Sequence, residues 1–217
     1  MLTAESVGLD YRNGGSVNRA VDGVSLSIDP GSFLGVIGPS GSGKSSLMYL
    51  LSGMKRPSRG RLAFEARDYA AMQAAELMRL RRRRFGFVFQ QHFLINYLSV
   101  FENVLVGAVR RDHATAARAH QLLGQVGLAD ELHKRPFQLS IGERQRVAVV
   151  RALVHLPAIV FADEPTASLD QATGRQVVEV LGHFRQQTGG AVVVVTHDPD
   201  MLTGADQILH MRDGRLN

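Results

Sequence analysis

Gly38-Pro39-Ser40-Gly41-Ser42-Gly43-Lys44-Ser45 is the stretch whose reading decides the fold. It fits G-x-x-x-x-G-K-[ST], in which each residue type has a physical task. Glycines let backbone N–H groups curl around phosphate oxygens, the lysine reaches the β- and γ-phosphates, and the serine hydroxyl ligates Mg2+. The flanks agree. Phe33 to Ile37 is a short apolar run that predicts a buried strand, and Ser46 to Ser52, with Leu47, Leu50 and Leu51 on one side, predicts the helix that follows. Strand, glycine loop and helix thus come in the order that a phosphate site at a helix N-terminus requires.

Working outward, continuous apolar strands alternate with amphipathic helices. Phe85 to Phe89 ends at Gln90-Gln91, Ile159 to Ala162 ends at Asp163-Glu164, and Ala191 to Thr196 ends at His197. Between the last two, Val177, Val180, Leu181 and Phe184 share a helical face that stops at Gly189-Gly190. This alternation predicts an α/β fold with a parallel sheet covered on both faces. Ahead of the glycine loop, Val7, Leu9 and Tyr11, then Val24, Leu26 and Ile28, alternate as in two antiparallel strands joined by a loop at Asn13-Gly14-Gly15-Ser16. Arg61 to Phe64 adds a strand. From about Asn96 to Val154 the pattern is helical, with Ala119, Leu122, Leu123 and Val126 at i, i+3, i+4, i+7. Gln207 to Met211 and Asp213-Gly214 predict a closing hairpin.

With 217 residues, 45% hydrophobic and 21% charged, the composition is that of a folded globular chain. No run of about 18 apolar residues exists, so no bilayer crossing is expected. Met1 to Asp10 lacks a basic n-region and an apolar h-region, so export by a signal peptide is not expected either. The absence of cysteine excludes disulfides and thiolate metal sites. A net charge of +5 leaves nucleic acid, an anionic membrane surface or a solvated basic face open. The densest basic run, Arg81 to Arg84, closes a helical pattern with no interleaved aromatics, which favours a solvated helix end.

Hydrolysis of a bound triphosphate needs a metal ligand, a base and a group that senses the γ-phosphate. Asp163, at a strand end, is the candidate to face Mg2+ with Ser45, and Glu164 the candidate to polarise the attacking water. His197 lies at the carboxyl edge of the sheet, where open α/β sheets bind ligands. Gln90, also at a strand end, can contact Mg2+ or the water through its amide.

Together with Leu139-Ser140-Ile141-Gly142-Glu143 and Ser168-Leu169-Asp170, these residues resemble the ATP-binding-cassette ATPases in order and spacing, over essentially the whole chain. Arg81 to Gln91 and Asp163 to Asp170 look most like the group serving lipoprotein release, macrolide export and FtsE-type cell-division complexes. The resemblance implies one cassette over residues 1–217. Its P-loop NTPase core would be formed by 1–90 and 156–217 together with an antiparallel β subdomain, and 91–155 would form an inserted α-helical subdomain. It implies ATP and Mg2+ held by Gly38 to Ser46, with Gln90 and Asp163 as further metal contacts, Tyr11 stacking on adenine, and Glu164, His197 and Gln90 acting in catalysis. Ser140, Gly142 and Glu143 would reach across a head-to-tail dimer to the other subunit's γ-phosphate, and Asp170 would join the two sites. The partners implied are a second ATPase subunit and an integral-membrane permease, at the cytoplasmic face of the membrane, with no nucleic acid.

One departure stands out: Ile141 occupies the position where the family's L-S-G-G-Q has its first glycine, and Glu143 replaces the glutamine. A β-branched residue does not adopt φ > 0 and adds bulk beside a phosphate, which leaves an altered dimer closure open, but Ser140 and Gly142 are intact and retained ATP hydrolysis is expected. Two rivals remain at this stage. A DNA-associated ATPase is favoured by the basic charge, but the helical stretch is too short for sustained heptads. An FtsE-like signalling ATPase would use the same motor without transport.

Overall fold

The computed structural model describes residues 1–14, 16–167 and 169–217. Gly15 of the first loop and Ser168 of the Ser168-Leu169-Asp170 match lie outside the described residues.

Two sheets share one core. The first is antiparallel: β1 (Leu2–Asn13) pairs with β2 (Ser16–Ile28) and β4 (Arg59–Phe64), and β4 pairs with the short β5 (Arg67–Asp68). The second has the order β10-β9-β3-β8-β7-β6, built from β3 (Phe33–Ile37), β6 (Phe85–Val88), β7 (Ile159–Asp163), β8 (Ala191–Thr196), β9 (Gln207–Arg212) and β10 (Arg215–Leu216). β6, β7, β8, β3 and β9 run parallel, and β10 closes the expected hairpin against β9. Sequence reading identified β9 as a hairpin strand but not as the parallel neighbour of β3.

β3, β6, β7 and β8 are apolar along nearly their whole length because both their faces are covered, whereas β9 is largely exposed. Ala191, Val193 and Val195 of β8 face a cluster that includes α1 (Lys44–Leu51) and the antiparallel sheet, where Phe85 stands edge-on to both Phe64 and Phe161. Val192 and Val194 face the other way, into a cluster with α3 (Val100–Val106), α4 (His113–Gln125), α5 (Ile141–Leu153) and α6 (Gln171–Thr188). Gly189, at φ 69°, ends α6 in the left-handed conformation that glycine adopts without strain.

Helix α1 begins at Lys44, two residues earlier than the apolar pattern alone indicates, since the first turn is polar and faces the loop. The basic run ends α2 (Ala74–Arg84), and its members differ in surroundings. Arg82 and Arg83 are exposed, Arg81 donates to Gly53 O at 2.7 Å, and Arg84 pairs with Glu65 while lying over the Phe64 ring. Among the described residues no helix is long and apolar enough to cross a membrane.

Candidate functional site

Parallel pairing brings four strand ends to one edge. Ile37 of β3 is opposite Thr196 of β8, Val195 opposite Asp163 of β7, and Ala162 opposite Val88 of β6. The loop 38–45, the Asp163-Glu164 turn, His197 and Gln90 therefore follow their strands onto the same side of the sheet.

The glycines of the loop are there for space. A Cβ on Gly38 would lie 2.1 Å from Met211 O, and one on Gly43, at φ 104°, would lie 2.1 Å from Ala20 O. The loop is thus pressed between β2 and β9, and Gly214 N donates to Ser42 O at 2.9 Å. Gly43 caps α1 without a side-chain hydrogen bond, so the first-turn amides of that helix point toward the loop's concavity. Ser42 Oγ is buried with no hydrogen-bond partner among the described residues. Lys44, only 7% exposed, turns its ammonium back on Gly38 O at 2.6 Å and Pro39 O at 3.1 Å. Uncapped amides, an orphaned hydroxyl and a buried cation within one loop fit a phosphate chain.

Two carboxylates sit beside this cradle in different environments. Asp163 is buried and accepts from Ser45 Oγ at 3.0 Å. Its carboxyl is pushed above the ordinary carboxylate range chiefly by burial and further by the charge of Glu164; the Ser45 bond and Lys44 pull it back. Mg2+ is commonly held by one or two carboxylates together with substrate phosphates and water, and the Ser45–Asp163 pair offers such oxygens. Glu164 accepts from Thr196 Oγ1 at 3.0 Å, has His197 Nδ1 at 2.9 Å, and keeps Oε1 3.9 Å from Lys44 Nζ. Its backbone is at φ 46°, a sparsely populated region for a non-glycine, which sets the two adjacent side chains on different partners.

The remaining candidates lie as follows. Gln90 is exposed, just beyond β6. Tyr11 is 38% exposed near the end of β1, with Lys55 Nζ 5.8 Å from its ring centre. Ser46 is in the first turn of α1. Ser140 is the N-cap of α5 and accepts from Glu143 N at 3.2 Å, while the Glu143 carboxylate accepts from Ser140 N at 2.7 Å. Glu143 is therefore turned back into a capping box. Ile141 is the first residue of α5, in helical backbone, so the concern that it needs φ > 0 does not hold; its side chain is 51% exposed. Gly142 stands against the start of α6, where a Cβ would meet Thr173 Cγ2 at 3.4 Å, and Asp170 caps that helix through Thr173 N at 3.0 Å. Among the described residues no hydrogen bond joins Ser140, Gly142 or Glu143 to the loop 38–46 of the same chain.

A family model described as ABC transporter matches residues 21–167. The chain belongs to the ABC transporter family. The lipoprotein-releasing system ATP-binding protein LolD of Bordetella pertussis is 42% identical to the cassette over 218 residues, covering 99% of this chain and 94% of that protein. The macrolide export ATP-binding/permease protein MacB 1/2 of Paracoccus denitrificans is 40% identical over 100% of this chain, which spans only 33% of the length of that relative. A dimeric structure of the ATP-binding cassette MJ0796, in a post-hydrolysis state bound to ADP and Pi, superposes with a TM-score of 0.92. It is 33% identical, and the match covers 100% of this chain and 97% of that one. The fold is thus that of an ATPase cassette.

Two site residues were not anticipated. Thr196, fully buried at the end of β8, holds Glu164; a hydroxyl one residue before His197 was the available signal. Gln145 of α5 is buried along with Ala148, Val149 and Ala152, so it is a polar residue at a position of the helix's apolar stripe.

Proposed function

We propose that the cassette hydrolyses ATP with Glu164 as general base and does so as a dimer in which two half-sites complete each other. The observation that carries this reading is the setting of Glu164. Its carboxylate is held by Thr196 and His197, 3.9 Å from the lysine of the phosphate loop and next in sequence to the Asp163–Ser45 pair. In this arrangement Lys44 neutralises the β- and γ-phosphates, Glu164 accepts the proton of the attacking water, and His197 fixes the carboxylate. Mg2+, held by Ser45 and Asp163 with Gln90 beside them, would supply charge neutralisation at the phosphates. Ser140 and Gly142, unattached to the loop of their own chain, serve the nucleotide of the second subunit, with Asp170 between the two sites and Tyr11 against the base.

Residues 91–155 act as a helical unit carried by a core of 1–90 and 156–217. We place the contact with a membrane permease at the segment 90–102. There Phe93 and Tyr97 are 62% and 76% exposed, and a groove of about 540 Å3 runs between His92, Phe93, Pro136 and Ile141. The names of the relatives, a lipoprotein-releasing system and a macrolide export protein, support the reading that the cassette powers export or release of a lipid, lipoprotein or hydrophobic compound; a place at the cytoplasmic face of the membrane goes with that reading.

Glu164→Gln tests the reading. ATP binding and an ATP-dependent dimer should persist, with phosphate release reduced by about 100-fold or more. Turnover at the wild-type rate would reassign the base.

A further inference from the structure

Gln145 is 3% exposed, and its amide reaches two other parts of the cassette. Nε2 donates to Phe89 O at 3.2 Å and to Pro165 O at 2.9 Å, while Oε1 lies 3.1 Å from His92 Nδ1. Phe89 immediately precedes Gln90, Pro165 immediately follows Glu164, and Gln145 itself is five residues from Ser140 on the same helix. Arg151, also on α5, donates to His92 O at 2.6 Å and Phe93 O at 2.7 Å, so the segment 89–93 is clasped twice by that helix. On α3, Asn103 holds the continuation, accepting from Ile95 N at 2.7 Å and donating to Leu98 O at 3.1 Å.

Such an arrangement has a mechanical consequence. A shift of α5 against the sheet must break the bond to Pro165, and a shift of segment 89–93 against α5 must break the bonds to Phe89, His92 and Phe93. The Pro165 carbonyl so released would be a buried acceptor without a donor, and those of Phe89 and His92 half-buried ones, which makes intermediate positions costly and favours movement as a unit. We infer that Gln145 is a positioning residue for ATP hydrolysis: its amide locks the Gln90 segment and the Glu164 turn to the helix whose N-terminus carries Ser140 and Gly142. The general base and the group presented to the second subunit are then set by one side chain whose hydrogen bonds go to Phe89, Pro165 and His92 and not to the phosphate loop. This rests on the ATPase reading given above.

The test is Gln145→Met, which keeps length and volume but has no donor, with Gln145→Glu as a second variant that keeps polarity. Single-turnover and steady-state kinetics are run well below each variant's melting temperature. The phosphate loop is untouched, so the Kd for ADP should stay within about twofold while kcat falls between about 10- and 100-fold, the range for misplacement of a catalytic group by a remote change. Wild-type kcat in a folded Gln145→Met chain, or a parallel loss of kcat and nucleotide affinity, would overturn the inference. An independent measurement uses the wild-type chain with a non-hydrolysable ATP analogue. Hydrogen exchange in residues 89–95 and in the first half of α5 should change together, and a change in one without the other would also overturn it. If the wild-type chain itself releases no phosphate from ATP, the ATPase reading falls instead, and the two failures are told apart.

Discussion

At Asp163 burial works against stability in the place where Mg2+ is proposed to be held. Burial raises its carboxyl above the ordinary carboxylate range, so the folded chain holds that proton more tightly than the unfolded chain does. The sign follows from linkage: the contribution favours the fold below the unfolded pKa, and it is lost as pH rises through the elevated folded value. Ionising Asp163 therefore leaves a desolvated carboxylate that the Ser45 bond and Lys44 offset. Asp163→Asn removes that charge. It should raise the melting temperature of the nucleotide-free chain at pH 7 by about 2–4 °C, equivalent to roughly 1 kcal/mol in a chain of this size, while abolishing phosphate release. Melts repeated toward pH 4 should show the advantage shrinking as the wild-type carboxyl protonates. An unchanged or lowered melting temperature at pH 7 would mean that Ser45 and Lys44 already compensate its burial. This residue was visible in the sequence as an acidic group ending an apolar strand. Thr196, the partner of the neighbouring Glu164, was not, because a threonine at a strand end has many ordinary uses and only the parallel register of β7 and β8 brings it to Glu164.

At the level of elements, the N-terminus of α5 explains why Ile141 is tolerated. Ser140 sits at φ −62° and ψ 166°, caps the helix and is tied to Glu143, and Ile141 then takes the first helical position, where any L-residue fits. The expectation of strain came from treating the position as a loop glycine; the capping box, readable in Ser140 and Glu143 as S-x-x-E, was the signal that it begins a helix. Ile141→Gly should cost about 0.5–1 kcal/mol, the usual penalty for glycine in a helix, and leave ATP turnover and ATP-driven dimerisation within about twofold of wild type. Ser140→Ala should cost about 1 kcal/mol through the lost cap and, unlike Ile141→Gly, should also reduce turnover severely. Thermal melts paired with phosphate-release assays separate the two effects. A variant of Ile141 that lost dimerisation would return the residue to the interface. Most elements were legible for the same reason that α5 was: their period and caps are local. The pairing of β9 with β3 was not, since nothing local distinguishes a hairpin strand that also extends a parallel sheet.

For the whole molecule, the decisive fact is a division of labour within one chain. Lys44, Ser45, Asp163, Glu164 and His197 converge at one edge of the sheet, whereas Ser140 is bonded within its own helix and Gly142 lies against the start of α6. The sequence displays both sets of residues but cannot show that they fail to meet, because separation between segments is a property of packing and not of any motif. A molecule of this kind should complete its site with a second copy related by a twofold axis, each contributing what the other lacks. Mixing two inactive chains tests that directly. Ser140→Ala retains the phosphate loop and base, and Lys44→Ala retains Ser140 and Gly142. In a mixed dimer one site combines the intact loop of the first chain with the intact helix terminus of the second, and the other site has lost both. Random mixing gives half mixed dimers with one good site in two, so activity should recover to about a quarter of wild type if the two sites act independently. Were Ser140 to serve the nucleotide of its own chain, every site in the mixture would carry a lesion and phosphate release would stay at the level of the separate variants. Recovery that rises and falls with the fraction of mixed dimers, followed by titrating one variant into the other, is the outcome that the separation of Ser140 from Lys44 demands.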